Sequence, residues 1–196
     1  MLIDPSIEIR SQLRKQALAK RNDIPAEMRD AYSQIIRKKI IAYLDSISAK
    51  FVHTYIGFGS EVGTRRIIDD LFERNIKVAV PVTKSEGKAQ QMIHSHIESL
   101  DSLSTGKFGV PEPENIKEIP IEKLDVVIIP IVAFDGLGMR LGYGKGFYDR
   151  FLSTLPKEIR RIGIAFSIQE MDKIPKMPHD QLINNIISEQ SNFIFD

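Results

Sequence analysis

The sequence predicts an α/β fold: one three-layer domain with a mainly parallel sheet and helices on both faces. Three observations carry this expectation. Short apolar runs alternate with amphipathic helical stretches along the whole chain. The segment D-V-V-I-I-P, residues 125–130, is continuously apolar after its first residue, the pattern of a strand buried on both faces. A strand pattern over residues 51–56, a helical stretch over 64–74 and a second strand over 78–81 together make a β-α-β unit. The 196 residues suit one domain or two small ones, and no linker forces a division.

Taken in order, the elements have local causes. Asp4 and Pro5 open the first helix, Asp4 as a cap and Pro5 in the first turn. Ile9, Leu13 and Ala17 recur every four residues and are expected to face a core. Pro25 starts a second helix, whose apolar face is expected to hold Met28, Tyr32, Ile35, Ile36, Ile40 and Leu44. After the β-α-β unit, residues 91–97 read as a strand with His94 and His96 on one side. Residues 99–123 are loop-rich, carrying Gly106, Gly109, Pro111, Pro113 and Pro120. The buried strand follows, then a glycine-rich loop, a helix over 147–155 and a strand over 161–166. Two short apolar runs near Ile186 and Phe193 close the chain, and there is no internal repeat or low-complexity segment.

Composition excludes several function classes. Lys+Arg number 27 against Asp+Glu 26, so the net charge of +1 argues against a nucleic-acid binder. No aromatic-studded basic stripe supports one either. The absence of Cys removes thiol nucleophiles, thiolate zinc sites and disulfides, and fits a reducing compartment. The first residues lack the apolar core of a signal peptide, and the longest apolar stretch, residues 126–134, is far short of a membrane span. A cytoplasmic protein with no membrane partner is expected. There is no G-x-S-x-G elbow and no H-E-x-x-H motif.

The densest chemistry lies in A-F-D-G-L-G-M-R-L-G-Y-G-K-G-F-Y-D-R, residues 133–150. It follows the most apolar strand and opens a helix, where ligands of open α/β sheets bind. Gly142, Gly144 and Gly146 alternate, which lets backbone N–H groups approach an anion; the helix N-terminus and the charges of Arg140 and Lys145 add to this. The pattern reads as a phosphate cradle; the alternative is a glycine-rich turn with Asp149 as cap. It is not a P-loop, because Gly146 follows Lys145 where Ser or Thr would hold Mg²⁺. Asp149, in the first helical turn, is a candidate metal carboxylate in its place.

Other segments are weaker signals. G-F-G-S-E-V-G, residues 57–63, lacks the last glycine of a dinucleotide fingerprint. Its Glu61 can cap a helix or accept from a ligand's N–H groups, and spacing alone favours the cap. Arg10 and Arg14 share a helical face, ordinarily a solvated one. In P-H-D, residues 178–180, Asp180 is a turn residue or a second metal carboxylate, while His179 reads as a surface residue. His94 and His96 lack a third ligand at useful spacing and read as structural. Charge is nevertheless local: residues 1–21 hold five Lys or Arg against two acids, and residues 139–150 three against one.

The loop F-D-G-L-G-M-R-L-G-Y-G-K-G-F-Y-D-R closely resembles the signature of the 5-formyltetrahydrofolate cyclo-ligase family. I-R-S-Q-L-R near the N-terminus, S-E-V-G-T, F-G-V-P-E-P, I-A-F-S-I-Q and P-H-D follow in the family's order, so the resemblance covers nearly the whole chain. It implies an ATP- and Mg²⁺-dependent cyclisation of 5-formyltetrahydrofolate, free or polyglutamylated, to 5,10-methenyltetrahydrofolate, by a monomer. It implies that Arg10 and Arg14 contact nucleotide phosphates, and that Arg140 and the run Gly142, Tyr143, Gly144, Lys145, Gly146, Phe147 and Tyr148 hold ATP. Of these, Tyr143 to Phe147 also meet the folate, and Lys145, Arg140 and Tyr148 are the expected catalytic groups. Ile56 and Glu61 match folate positions, and Asp149 and Asp180 the Mg²⁺ carboxylates. Two residues depart from the family pattern: Arg10 stands where Lys is common, replacing an ammonium by a planar fork, and Phe147 stands where Tyr is usual, keeping a stacking face without the hydroxyl. The other reading is a non-catalytic or differently specific ATP-binding relative, a regulatory module or a protein of another pterin or thiamine pathway. Ile56 and Glu61 favour the enzyme.

Overall fold

The computed structural model describes residues 4–86, 89–106, 109 and 111–195. Phe108 and Val110 of the F-G-V-P-E-P segment lie outside the described residues. Helix α1 (Pro5–Asn22) starts as its sequence dictates: Asp4 accepts a hydrogen bond from the Ser6 N–H at 2.8 Å, and Pro5 sits in the first turn. Helix α2 (Ala26–Ser46) follows Pro25 with no side-chain cap bond. Packing holds it instead. Ile36, Ile40 and Leu44 are fully buried, at roughly 1.5–3 kcal/mol each, against about 1 kcal/mol for a cap.

Strand β1 (Phe51–His53), helix α3 (Arg65–Glu73) and strand β2 (Lys77–Glu86) form the expected unit, with β1 and β2 parallel. Asn75 takes a left-handed φ of 56°, which closes α3 and lets the Ile76 N–H reach the Leu71 carbonyl. Strand β3 (Ala89–Ile97) returns antiparallel to β2. A small ribbon follows, β4 (Leu103–Thr105) with β5 (Pro111–Pro113), inside the loop-rich stretch. Then come β6 (Val126–Pro130), β7 (Ala133–Asp135), β8 (Arg140–Leu141), α4 (Phe147–Thr154), β9 (Arg160–Ile164), β10 (Glu170–Met171), β11 (Asn185–Ile187) and β12 (Asn192–Ile194).

The main sheet has the order β12-β11-β9-β6-β1-β2-β3. Its five inner strands run parallel, and both edges are antiparallel. Alternation along the strands sorts residues between two cores. Val52, Val78, Val126, Ile128 and Ile162 pack with Ile36, Ile40 and Ile67 of α2 and α3. Phe51, Val127, Ile129 and Ile186 pack with Phe151 and Leu152 of α4. Helices therefore cover both faces, as predicted. A second sheet, β10-β7-β8, was not anticipated from the sequence; with α1 it encloses Ala17, Val132, Leu141 and Met171. Buried Asp135 fixes its turn by accepting from the N–H groups of Leu137, Met139 and Ile174.

Several element-level expectations change. The first strand stops at His53, because Thr64 and Tyr55 take over the backbone groups that follow: the Thr64 hydroxyl accepts from Gly57 N–H and donates to the Tyr55 carbonyl. The second runs through Pro81 to Glu86; its pairing with β1 ends at Ala79, so Pro81 lies in an edge ribbon where proline is tolerated. Ile9, Met28 and Ile35 are exposed rather than buried. On α1 Ala17 is buried and Leu13 packs against the same cluster, as expected, but Arg10 and Arg21 are buried as well. No helix among the described residues is long and apolar enough to cross a membrane.

Arg37 of α2 and Asp70 of α3 form a two-pronged ion pair that joins the helices. Hydrogen bonding from Arg37 holds the Asp70 carboxyl below its usual range, against the opposing effect of burial. Its contribution is thus present above the ordinary carboxylate pKa near ~4 and is lost as pH falls through the lower folded value. Since the Arg37 side chain is 33% exposed, solvent screening limits the pair, and Asp70→Asn is expected to cost about 1 kcal/mol at pH 7. Urea titrations of both proteins at pH 7 and pH 3 should show that difference shrink in acid; a constant difference would contradict the linkage.

Candidate functional site

A cleft of about 710 Å³ opens beyond the carboxyl ends of β1 and β6 and the point where β2 leaves β1, where Ile56, Pro130 and Pro81 line it. The chain leaves β1 through α3 to β2 on one side, and leaves β6 through α4 to β9 on the other. The cleft therefore sits where the strand order reverses, the place at which an open α/β sheet parts its loops to admit a ligand.

One end is cationic. Arg10 and Arg14, a solvated face by spacing alone but phosphate contacts by the family resemblance, both line the cleft, and Arg10 is 6% exposed. Arg10 donates both prongs to Asp180, at 2.6 and 2.8 Å, and a further bond to the Pro175 carbonyl. Burial alone would raise the Asp180 pKa, but the hydrogen bonds from Arg10 and Met177 N–H hold it below its ordinary value. Arg14 donates to the Gly142 carbonyl at 2.9 Å, and its guanidinium packs over Gly144. Burial, with the charge of Arg10, lowers the Arg14 pKa.

The glycine-rich loop joins β8 to α4. Gly144 and Gly146 have φ of 91° and 67°, so the left-handed turns at both positions favour glycine, and Gly146 caps α4. Lys145 stands between them, exposed on the cleft wall. Arg140 is 5% exposed and donates to Asp149 at 2.7 Å. Its burial lowers its pKa, while Asp149 and Asp180 both oppose this. Asp149 lines the cleft, and the N–H of Gln181 reaches it at 3.4 Å; neighbouring Asp180 is not a lining residue, and both its oxygens accept from Arg10.

Two buried polar atoms here, Arg140 Nε and the Tyr148 hydroxyl, lack a hydrogen-bond partner among the described residues. Burial pushes the Tyr148 pKa well up, so its hydroxyl keeps its proton at neutral pH. Such donors are costly unless a ligand meets them. This end of the cleft thus gathers four cations, two unmatched donors, a glycine-rich turn and the Asp149 carboxylate, groups able to meet an anion.

The other end is more apolar, lined by Tyr55, Ile56, Phe58, Met92 and Pro111. Glu61 does not cap α3. It accepts the Phe58 N–H at 3.0 Å and the Tyr143 hydroxyl at 2.8 Å. Burial raises its pKa, opposed by these two bonds and by the charge of Arg21. Phe147 lies at the cleft wall with the Arg150 guanidinium 5.2 Å from its ring.

The histidines read as structural behave so. His94 bonds His53 at 3.0 Å and stacks on Phe151 in the core beside α4. Burial lowers the His94 pKa to about 4. No group of three or more metal-ligating His, Asp or Glu occurs among the described residues. The sequence reading missed Arg21, Thr83, Met92 and Glu112, which line the cleft. For Arg21 a signal existed, since it continues the face of Arg10 and Arg14 at helical spacing. The others have none, because chain segments far apart bring them together.

Fold and cleft define the class: an α/β protein that takes a small molecule at the switch point of its sheet, with one cationic and one apolar end. The sequence profile of the 5-formyltetrahydrofolate cyclo-ligase family matches residues 6–189, and the chain belongs to that family. It is 28% identical to the 5-formyltetrahydrofolate cyclo-ligase of Mycolicibacterium smegmatis, covering 94% of this chain and 96% of the relative. Identity to the probable 5-formyltetrahydrofolate cyclo-ligase of Schizosaccharomyces pombe is 30%, over 82% and 85%. The solved structure of Aquifex aeolicus 5,10-methenyltetrahydrofolate synthetase superposes with a TM-score of 0.82 at 27% identity, covering 95% of this chain and 92% of that one.

Proposed function

We propose that this protein closes 5-formyltetrahydrofolate to 5,10-methenyltetrahydrofolate at the expense of ATP, with Mg²⁺, releasing ADP and phosphate. The observation that carries this is the two-ended cleft. Its cationic end, with unmatched donors on Arg140 and Tyr148, suits a triphosphate; its apolar end, with Glu61, suits a pterin bearing N–H donors.

An amide-like formyl oxygen is a poor leaving group. Here it takes the γ-phosphoryl group; N10 then adds to the formyl carbon and loses its proton, and the oxygen departs as phosphate. No protein nucleophile is required, in keeping with a chain that has no Cys. What the protein supplies is position and charge. Arg10, Arg14 and the loop Gly142, Tyr143, Gly144, Lys145, Gly146 and Phe147 bind and orient the nucleotide. Lys145 and Arg140 neutralise charge at the transferring phosphoryl group, and Tyr148 donates a hydrogen bond there. Ile56 packs against the folate, Glu61 grips its N–H groups, and the loop from Tyr143 to Phe147 meets it from the other side. Asp149 and Asp180 would hold Mg²⁺, which would supply charge neutralisation for the phosphates. We infer a monomer in the cytoplasm; the lack of Cys supports that compartment.

Mixing the protein with MgATP and 5-formyltetrahydrofolate should give an ATP-dependent rise in the near-ultraviolet absorbance of the methenyl product. Absence of that rise would overturn the assignment. Asp149→Asn is expected to shift the Mg²⁺ titration of activity to roughly tenfold higher concentration, as loss of one charged ligand weakens the site. An unchanged titration would remove Asp149 from the metal site.

A further inference from the structure

We propose that Arg21 is a positioning residue for the pterin end of the cleft: it orients the Tyr143 hydroxyl onto Glu61 and thereby ties the glycine-rich loop to the loop of residues 57–63. This rests on the folate reading above.

Arg21 lies in the last turn of α1, where a cation is often just a solvated partner of the helix dipole. Here it is 4% exposed and reaches across the cleft. Its Nε donates to the Ser60 hydroxyl at 3.0 Å, and its Nη2 to the Tyr143 hydroxyl at 2.9 Å. The Ser60 hydroxyl in turn donates to Asn22 at 2.5 Å, so two residues of α1, Arg21 and Asn22, hold the 57–63 loop at Ser60. The guanidinium also sits 5.8 Å from the centre of the Tyr143 ring.

Proton counting shows what this achieves. An arginine only donates. The Tyr143 hydroxyl must therefore accept from Arg21, and its single proton is directed to Glu61, 2.8 Å away. Glu61 spends one oxygen on Tyr143 and the other on the Phe58 N–H, which leaves its remaining lone pairs aimed as a fixed acceptor pair. Tyr143 itself is 54% exposed in a loop flanked by glycines, so packing does little to hold it. The polar ties to Arg21 and Glu61 set its place. Without Arg21, the hydroxyl is free to turn, and both loops lose their common anchor.

The test compares Arg21→Met, Tyr143→Phe and the double variant with wild type. Arg21→Met is expected to raise KM for 5-formyltetrahydrofolate about tenfold, with KM for ATP changed less than about twofold. The double variant should be no worse than the poorer single one, because both remove the same tie. The acid limb of kcat/KM should move to higher pH in Arg21→Met. Glu61 loses a nearby positive charge, while the other titratable groups acting with it, Tyr55, Tyr143 and Tyr148, stay neutral. A second readout needs no substrate: hydrogen exchange of the Phe58 amide should speed up in both single variants. Should Arg21→Met not fold, the half-exposed Tyr143→Phe and the charge-conserving Arg21→Lys carry the same measurements. Additive losses, equal shifts in both KM values, or unchanged Phe58 exchange would overturn the proposal. A wild-type protein with no ATP-dependent turnover would instead defeat the folate reading, and the Phe58 measurement would still decide whether Arg21 orders the loop.

Discussion

Lys145→Ala is expected to lower kcat about a thousandfold while leaving the fold intact, since charge stabilisation of a transferring phosphoryl group is worth roughly 10³–10⁵ in rate. The backbone on both sides of Lys145 is already set by the left-handed glycines Gly144 and Gly146, and the residue is exposed on the cleft wall. Truncating it removes a charge from the site but nothing from either core cluster. The unfolding midpoint should therefore stay within about 2 °C of wild type, the range of an ordinary surface change. Lys145→Arg is expected to recover only part of the rate, because a planar fork replaces a compact ammonium. Initial rates of methenyl absorbance, with a thermal melt of each variant, check both halves. Wild-type turnover in Lys145→Ala would sink the role.

Arg140→Met should behave differently, losing stability and activity together. Arg140 is 5% exposed and bonded to Asp149, whose side chain is 20% exposed. Removing one partner of a fully buried pair costs about 3–5 kcal/mol; partial exposure of Asp149 brings the expected loss nearer to about 2–3 kcal/mol. Activity should fall at least about a hundredfold, since a phosphate donor goes and the carboxylate beside it is left uncompensated. Arg140→Lys separates the two effects. It keeps the charge that Asp149 and Asp180 face, and should restore more of the stability than of the activity, because an ammonium cannot serve Asp149 and a ligand with separate prongs. Urea midpoints and kcat/KM for ATP measure the two losses. Equal recovery of both would show that Arg140 acts through charge alone.

Much of the cleft's polar end could be read from the chain because its parts are local. Gly142, Gly144, Lys145, Gly146, Arg140 and Asp149 lie within ten residues, after an apolar strand and before a helix, and their spacing alone implies a turn that approaches an anion. The same holds for the strand at residues 126–130, whose unbroken apolar run needs burial on both faces, and for α1, whose start is written in Asp4 and Pro5. The other end, proposed for the pterin, was legible only by resemblance. Glu61 looked like a helix cap, and only folding turns it toward Tyr143.

The N-terminal helix shows where local pattern fails. Its apolar residues at positions 9, 13 and 17 suggested a core-facing stripe, yet Ile9 is exposed and Arg10 and Arg21 are buried. Periodicity reports which residues share a face; it does not report what that face meets. Arginine is buried here because Asp180, the Gly142 carbonyl and the Tyr143 hydroxyl are waiting across the cleft, and these partners come from more than a hundred residues away along the chain. Short-range chemistry thus set the class of fold, the glycine-rich turn of the cleft and the absence of thiol chemistry. Which cations line the cleft, which carboxylate Arg10 pairs with and which tyrosine bridges the two loops are decided by long-range pairing, since a charge is buried only where distant segments supply its partner.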